Sequence, residues 1–242
     1  MDQVITIPAG QHRKDPVLLS VDSSADMFVK LERDARAVVV CMSIARGDKI
    51  VARQAAEIAA GAHLHWINVT VGDGIEQSLV ATCTGDGAVS AVDWVFRAGK
   101  SDRQKLSVRN VFASSRGGGE ITMKGVAEDT AHVDASGMIE IGVQGGGTHT
   151  YLTQNVLMLD PTAKVDAIPG LEIKTNDVKA SHSATVSRVT EEDLFYFGAR
   201  GIAEAQARQM YIEGFLGEIV EHIENGALQE EMKRALFPCA AE

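Results

Sequence analysis

The sequence predicts a mainly β protein with a helical tail: a stacked-β solenoid of the β-helix type, followed by C-terminal α-helices. Three observations predict it. Short β-type runs broken by glycine and Asp/Asn fill the chain from about Val4 to Arg188. Within them, Thr130-Ala131-His132-Val133-Asp134-Ala135, leading to Ile139-Glu140-Ile141, recurs without a gap. Its copy is Thr162-Ala163-Lys164-Val165-Asp166-Ala167, leading to Leu171-Glu172-Ile173, at an offset of 32 residues. Self-similarity at a period of tens of residues marks stacked architectures. Past Thr190 the period changes from strand-like to helical. The competing reading of the repeat is two similar hairpins in an ordinary sandwich.

Taken in order, Ala37 to Ile44 is a continuous apolar run ending at Arg46-Gly47-Asp48. Leu64 to Val71 alternates, yet Leu64 and Trp66 define no simple apolar face. Ala88 to Phe96 follows the turn Gly85-Asp86-Gly87, and Gly61-Ala62-His63-Leu64 echoes the same turn-then-strand start. Gly117-Gly118-Gly119 and Gly145-Gly146-Gly147 read as turns between strands. Neither carries the Gly-Lys-Ser/Thr ending of a phosphate loop or opens a helix, so the chain itself is expected to bind no nucleotide.

The tail begins at Thr190, where Glu191, Glu192 and Asp193 complete a capping-box pattern and put acids in the first turn. That helix runs to about Ala199 and closes at Gly201. A second helix, from about Ala203 to Glu224, carries Ile212, Phe215, Leu216, Ile219, Val220 and Ile223 on one stripe. Asn225-Gly226 ends it, and a third short helix spans Leu228 to Leu236, before Pro238. The stripe is expected to cover the chain's own β core; a partner's groove is the alternative. These boundaries divide the chain into a β-helix core domain, 1–189, and a C-terminal helical segment, 190–242.

Composition narrows the function classes. The formal net charge is −10, against a protein that binds nucleic-acid backbones. No apolar run reaches the length of a membrane helix, and Met1 to Gly10 do not read as a secretory signal. The three cysteines, Cys41, Cys83 and Cys239, are odd in number and widely spaced, as expected of reduced thiols in a cytoplasmic protein. There is no Gly-x-Ser-x-Gly elbow and no paired-carboxylate constellation, so no catalytic residue is assigned and the chain is not expected to be an enzyme.

Candidate ligands are few. His182 stands in a small, polar, strand-like segment; an imidazole there can ligate iron or zinc or be satisfied by hydrogen bonds. His63 and His65 share a strand face with no carboxylate near in sequence, and read as a solvated face. Cys41 lies in an apolar run and reads as a buried small hydrophobe; Cys239, near the terminus, reads as the most exposed thiol.

Several spaced segments resemble the SufB/SufD family of iron–sulfur cluster assembly proteins. The strongest is Ser181-His182-Ser183-Ala184-Thr185-Val186-Ser187-Arg188, running on to Leu194-Phe195-Tyr196-Phe197 and Arg200-Gly201-Ile202. Thr148-His149-Thr150-Tyr151, Asn155 with Leu157-Met158-Leu159, Pro169 with Leu171-Glu172-Ile173, and Asp177-Val178-Lys179 precede it in the family's order. The resemblance covers about Val4 to Glu224. It implies a right-handed parallel β-helix in a short, SufD-like form, without the long N-terminal helical region of many members.

The resemblance also implies a scaffold role in cluster assembly, with a transient iron–sulfur cluster, beside an ABC-type ATPase, SufC. The docking surface implied for the ATPase is Phe195 to Val220, with Phe195, Tyr196, Arg200, Gly201 and Phe215 as its leading residues. The implied pairing surface, in a homodimer or a SufB/SufD-like heterodimer, lies near Glu172, Lys174, His182 and Thr185. An isologous homodimer would bring two His182 residues near one axis. Of the family's cluster residues the resemblance implies His182 alone; Cys239 is the second cluster or metal candidate, on its expected exposure near the terminus rather than on the resemblance. The chain departs from the family in having Ala180 where many SufD-like members have cysteine, Ser183 where the SufB branch has glutamate, and Ala163 at the position of a SufB cysteine. Thiolates are the usual ligands of cluster iron. Two alternatives from other classes are a β-helix enzyme acting on polysaccharide and a structural β-solenoid.

Overall fold

The computed structural model describes residues 3–45, 47–221, 223 and 225–237. Arg46, Glu224, Pro238 and Cys239, named above, lie outside the described residues. Fourteen strands run from β1 (Gln3–Ile7) through β2 (Val17–Val21), β3 (Ala25–Leu31), β4 (Arg36–Ile44), β5 (Ile50–Ile58), β6 (His63–Val71) and β7 (Ile75–Cys83). They continue as β8 (Val89–Ala98), β9 (Arg103–Phe112), β10 (Gly118–Ala127), β11 (His132–Ile141), β12 (Thr148–Met158), β13 (Lys164–Ile173) and β14 (Val178–Arg188). Three helices follow: α1 (Glu191–Gly198), α2 (Glu204–Glu221) and α3 (Gly226–Leu236).

Odd strands form one seven-stranded sheet and even strands another, every pair parallel. The chain alternates between the sheets, so each coil lies on the one before it: a parallel β-solenoid. The repeat is a pair of stacked coils. His132 pairs with Lys164, Asp134 with Asp166, Ile139 with Leu171 and Glu140 with Glu172, all at the offset of 32.

Turns stack as well. Gly10, Asp34, Gly61, Gly87, Arg116 and Gly147 all have φ between 54° and 75°. In each the N–H donates to a carbonyl of the next coil's turn, as from Gly61 to Asp86 and from Gly147 to Asp177. One column of left-handed residues therefore lines a solenoid corner, mostly glycine because φ is positive there.

The interior is filled by alternate side chains of every strand, including Leu64, Trp66, Trp94, Phe96 and Phe112. A buried polar chain runs through it. Gln54 and Asn68 exchange two hydrogen bonds of 3.1 and 2.9 Å, and Trp66 Nε1 and Gln77 Nε2 donate to Asn68 Oδ1. Thr70 donates to Gln77 Oε1 and accepts from Trp94 Nε1, both at 2.9 Å. Buried amides and hydroxyls persist in such a core because they pair with one another.

β6 has no simple apolar face because both its faces are buried. Leu64 and Trp66 point into the solenoid, whereas Ile67 and Val69 pack outward with Val40, Val95 and Val126 against the tail. The stripe residues Ile212, Leu216, Ile219, Val220 and Ile223 belong to that second core, with Leu228, Met232 and Leu236 of α3. α1 opens on the expected capping box between Thr190 and Asp193. Asn225 does more than end α2. Its side chain accepts from the Leu228 N–H and caps α3, which therefore starts at Gly226 rather than Leu228.

Candidate functional site

The last coil sets the candidate site. β13 and β14 stand at the ends of their sheets, and each is paired on one side only within the chain. Ile168, Ile173 and Val186 are exposed on them. An open parallel edge of this kind presents unpaired backbone groups to a further strand.

His182 is exposed on β14, in register with Leu152, which is fully buried. Ala180 follows Thr150, and Ala184 follows Gln154. His182 therefore continues an inward-facing column at the solenoid mouth, flanked by small residues. Beneath it, Thr150 Oγ1 and Gln154 Oε1 are buried without a hydrogen-bond partner. With the Thr148 hydroxyl, also buried and unpartnered on the same strand, they make the mouth polar. Among the described residues, the grouping of ligand-type side chains found in the structure does not include His182.

Glu172, Lys174 and Thr185 lie on outward columns instead. Lys174 bridges Glu172 at 2.9 Å and Glu140 at 3.6 Å. Hydrogen bonding and charge from Lys174 pull the Glu172 carboxyl below its usual range, and Glu172 in turn raises the Lys174 amine. Thr185 follows Lys124 and Asn155 along one outer column.

The residues expected to dock a partner fall into two groups. Phe195 is 77% and Tyr196 54% exposed on α1, none of whose residues is buried. Arg200 stacks 3.6 Å from the Tyr196 ring centroid and donates to the Tyr196 carbonyl; Gly201, at φ 78°, turns the chain toward α2. Phe215 is half-buried on α2, beneath the Lys124 ammonium at 5.3 Å. An apolar cavity of 460 Å³ lies beside it, lined by Leu157, Phe197, Met210, Tyr211, Gly214 and Phe215. Phe197 connects the two groups by edge-on contacts with Tyr196 and Tyr211, at 5.6 and 5.5 Å. Met210 and Tyr211 escaped the sequence reading because they sit beside the apolar stripe, not on it.

The thiols within the described residues are inert. Cys41 and Cys83 are buried, and burial pushes both up to about 12. His65 is not simply solvated: its Nε2 lies 2.7 Å from Asp93 Oδ2 on the neighbouring strand β8. That carboxylate is 28 residues away in sequence and was invisible to local spacing. Burial, with Arg36 and His12 nearby, lowers the pKa of His63. No helix among the described residues is long and apolar enough to cross a membrane.

Residues 23–215 match the family model described as the SufBD core domain of SUF-system FeS cluster assembly. An iron–sulfur cluster assembly SufBD family protein of Mycobacterium leprae is 28% identical over 169 residues, 69% of this chain and 19% of the relative. Another SufBD family protein, of Mycobacterium bovis, is 38% identical over 107 residues, covering 44% of this chain and 27% of its own. The iron–sulfur cluster assembly protein SufD of Escherichia coli is 35% identical over 109 residues, with 45% and 26% covered. The matched stretches thus span about a fifth to a little over a quarter of these relatives. With the parallel solenoid and helical tail already described, the match over 23–215 establishes that this chain belongs to the SufB/SufD family of iron–sulfur cluster assembly proteins.

Proposed function

We propose that the chain is a scaffold subunit for iron–sulfur cluster assembly, with the helical segment from Thr190 as its docking region for a SufC-like ATPase. The observation that carries this reading is the aromatic surface of α1. Phe195 and Tyr196 stay exposed while, among the described residues, every other large apolar group of the tail apart from Met210 is buried or half-buried. Exposed neighbouring aromatics beside an apolar cavity favour a protein partner. The open β13–β14 end supplies the pairing surface, around Glu172, Lys174, His182 and Thr185, for a second copy or a SufB/SufD-like subunit. In this reading ATP binding by the partner shifts two scaffold subunits relative to each other and opens the contact that holds the cluster. The chain binds no nucleotide of its own and acts in the cytoplasm. Family membership favours this role over a polysaccharide-acting enzyme or a filament.

Co-purification with the ATPase tests the reading. Truncation at Thr190 should abolish the complex. Truncation also uncovers Ile67, Val69 and Val126, so the sharper variant is Phe195→Ala with Tyr196→Ala, whose side chains are exposed. An unchanged complex with that double variant defeats the docking surface. For the cluster, anaerobic reconstitution with iron and sulfide should give less chromophore in His182→Ala or Cys239→Ser. Wild-type yield in both removes both residues from the site.

A further inference from the structure

The repeat that reveals the solenoid also places two pairs of carboxylates in register on the outer face of the odd-numbered sheet: Glu140 on Glu172, and Asp134 on Asp166. Like charges directly opposite each other on neighbouring strands repel. The glutamate pair is neutralised. Lys174 contacts both of its members, and Arg109 lies 3.3 Å from Glu140. Among the described residues, no lysine or arginine pairs with the aspartates in this way. Lys105 is in register with Asp134, but its ammonium is directed to Glu76 at 3.8 Å. What stands between the two aspartates is His132. Its Nε2 lies 3.4 Å from Asp134 Oδ1 and 3.5 Å from Asp166 Oδ2, and that nitrogen is buried and makes no hydrogen bond.

We propose that His132, Asp134 and Asp166 form a binding site for a divalent first-row transition-metal ion. Their ligand atoms all lie within 4.8 Å of one another. Ligand bonds of about 2.0–2.2 Å at a tetrahedral angle separate neighbouring ligand atoms by about 3.4 Å, which is the spacing of Nε2 from each carboxylate. One imidazole and two carboxylates suit zinc, iron(II) or cobalt(II), with water completing the sphere. The Asp134 and Asp166 side chains are 53% and 64% exposed, so an ion reaches them from solvent. The ion does for the aspartate pair what Lys174 does for the glutamate pair: it cancels in-register repulsion and fastens the last coil to the one beneath. Arg103, in register with His132, and Lys105 oppose the ion's charge from the β9 side, which favours moderate affinity.

The test is calorimetric titration of the chelator-stripped full chain with Zn²⁺, in the His182→Ala background so that the solenoid mouth adds no binding. Cobalt(II) absorption serves as the reporter of coordination. One equivalent should bind, and Asp134→Asn with Asp166→Asn should weaken it at least about tenfold, since even the outer partners of metal ligands are worth that much. Glu140→Gln, in the pair that Lys174 and Arg109 neutralise, should leave the isotherm unchanged. If the double aspartate variant misfolds, Asp166→Asn alone carries the comparison, because β13 is the exposed last strand. No stoichiometric uptake by the parent, or equal uptake by the aspartate variants, overturns the site.

Discussion

The two sheets of the solenoid bury their inner faces alike and use their outer faces differently. The even sheet presents Val40, Ile67, Val69, Val95 and Val126 outward, and the helical tail lies on them. The odd sheet presents charge, as in the pairs Lys30–Glu57, Arg53–Asp26 and Arg109–Glu140, and among the described residues the helices pack on the other sheet. Attachment differs too. Each coil is held by a full ladder of backbone hydrogen bonds to its neighbours, whereas the tail is held by one apolar stripe and a few polar fastenings. Arg208 grips Asp160 at 3.0 Å, Lys124 meets Glu218, and Arg97 donates to the Leu236 carbonyl at 2.7 Å. The difference sets strands held by backbone ladders against a tail held by side chains alone, packed on one outer face of the solenoid.

The largest effect should come from breaking the interior. Trp94 is fully buried and donates to Thr70, so Trp94→Ala should cost about 3–5 kcal/mol in urea unfolding. Phe195→Ala, at a 77% exposed position, should change the same measurement by less than about 0.5 kcal/mol. Similar costs at the two sites would dissolve the contrast between a packed core and a peripheral cover.

How much was legible follows from coil length. The 32-residue repeat could be read because β11 and β13 share their leading Thr-Ala turn and pair residue for residue without a gap. Elsewhere the coil drifts: 24 residues separate Gln3 from its partner Met27, and 29 separate Thr122 from Asp93. Drift of this size breaks sequence alignment while leaving strand register intact, so the other coils showed only as glycine-punctuated runs. The tail was legible because helical contacts repeat within a few residues, and its stripe was assigned correctly to the chain's own core. Cross-coil partners were not. Asp93 beside His65 depends on register across strands, and Lys124 over Phe215 on how α2 lies against β10. Asp134 over Asp166 was the exception: the repeat had already aligned the two, but only the structure showed His132 between them.

A middle-sized effect should separate the tail from the solenoid by pH. Burial pushes the Asp160 carboxyl up, but hydrogen bonds from Arg208 and from the Asp129 N–H, with the guanidinium charge, outweigh it and hold Asp160 below its usual range. A carboxylate depressed in the folded state stabilises it above the unfolded pKa, and that contribution is lost as pH falls through the folded value. The tail should therefore stay docked through the ordinary carboxylate range and loosen only below it, read as protease cleavage within α2 against pH. Asp160→Asn should raise cleavage at neutral pH and remove the acid-dependent step. If the wild-type step persists in Asp160→Asn, another group fastens the tail.

The most local effect tests the junction between the regions at Thr190. Thr190 accepts from the Asp193 N–H at 3.2 Å, and Asp193 accepts from the Thr190 N–H at 2.8 Å, so each satisfies a donor that the start of α1 would otherwise leave bare. Thr190→Ala removes half of this box and should cost about 1 kcal/mol. Because α1 buries none of its residues, that loss has little tertiary packing to absorb it. It should appear as faster amide exchange confined to α1, with the exchange of β4 to β12 unaltered. Faster exchange spreading into those strands would mean that α1 and the solenoid unfold as one unit, and the contrast between core and cover would end at Thr190.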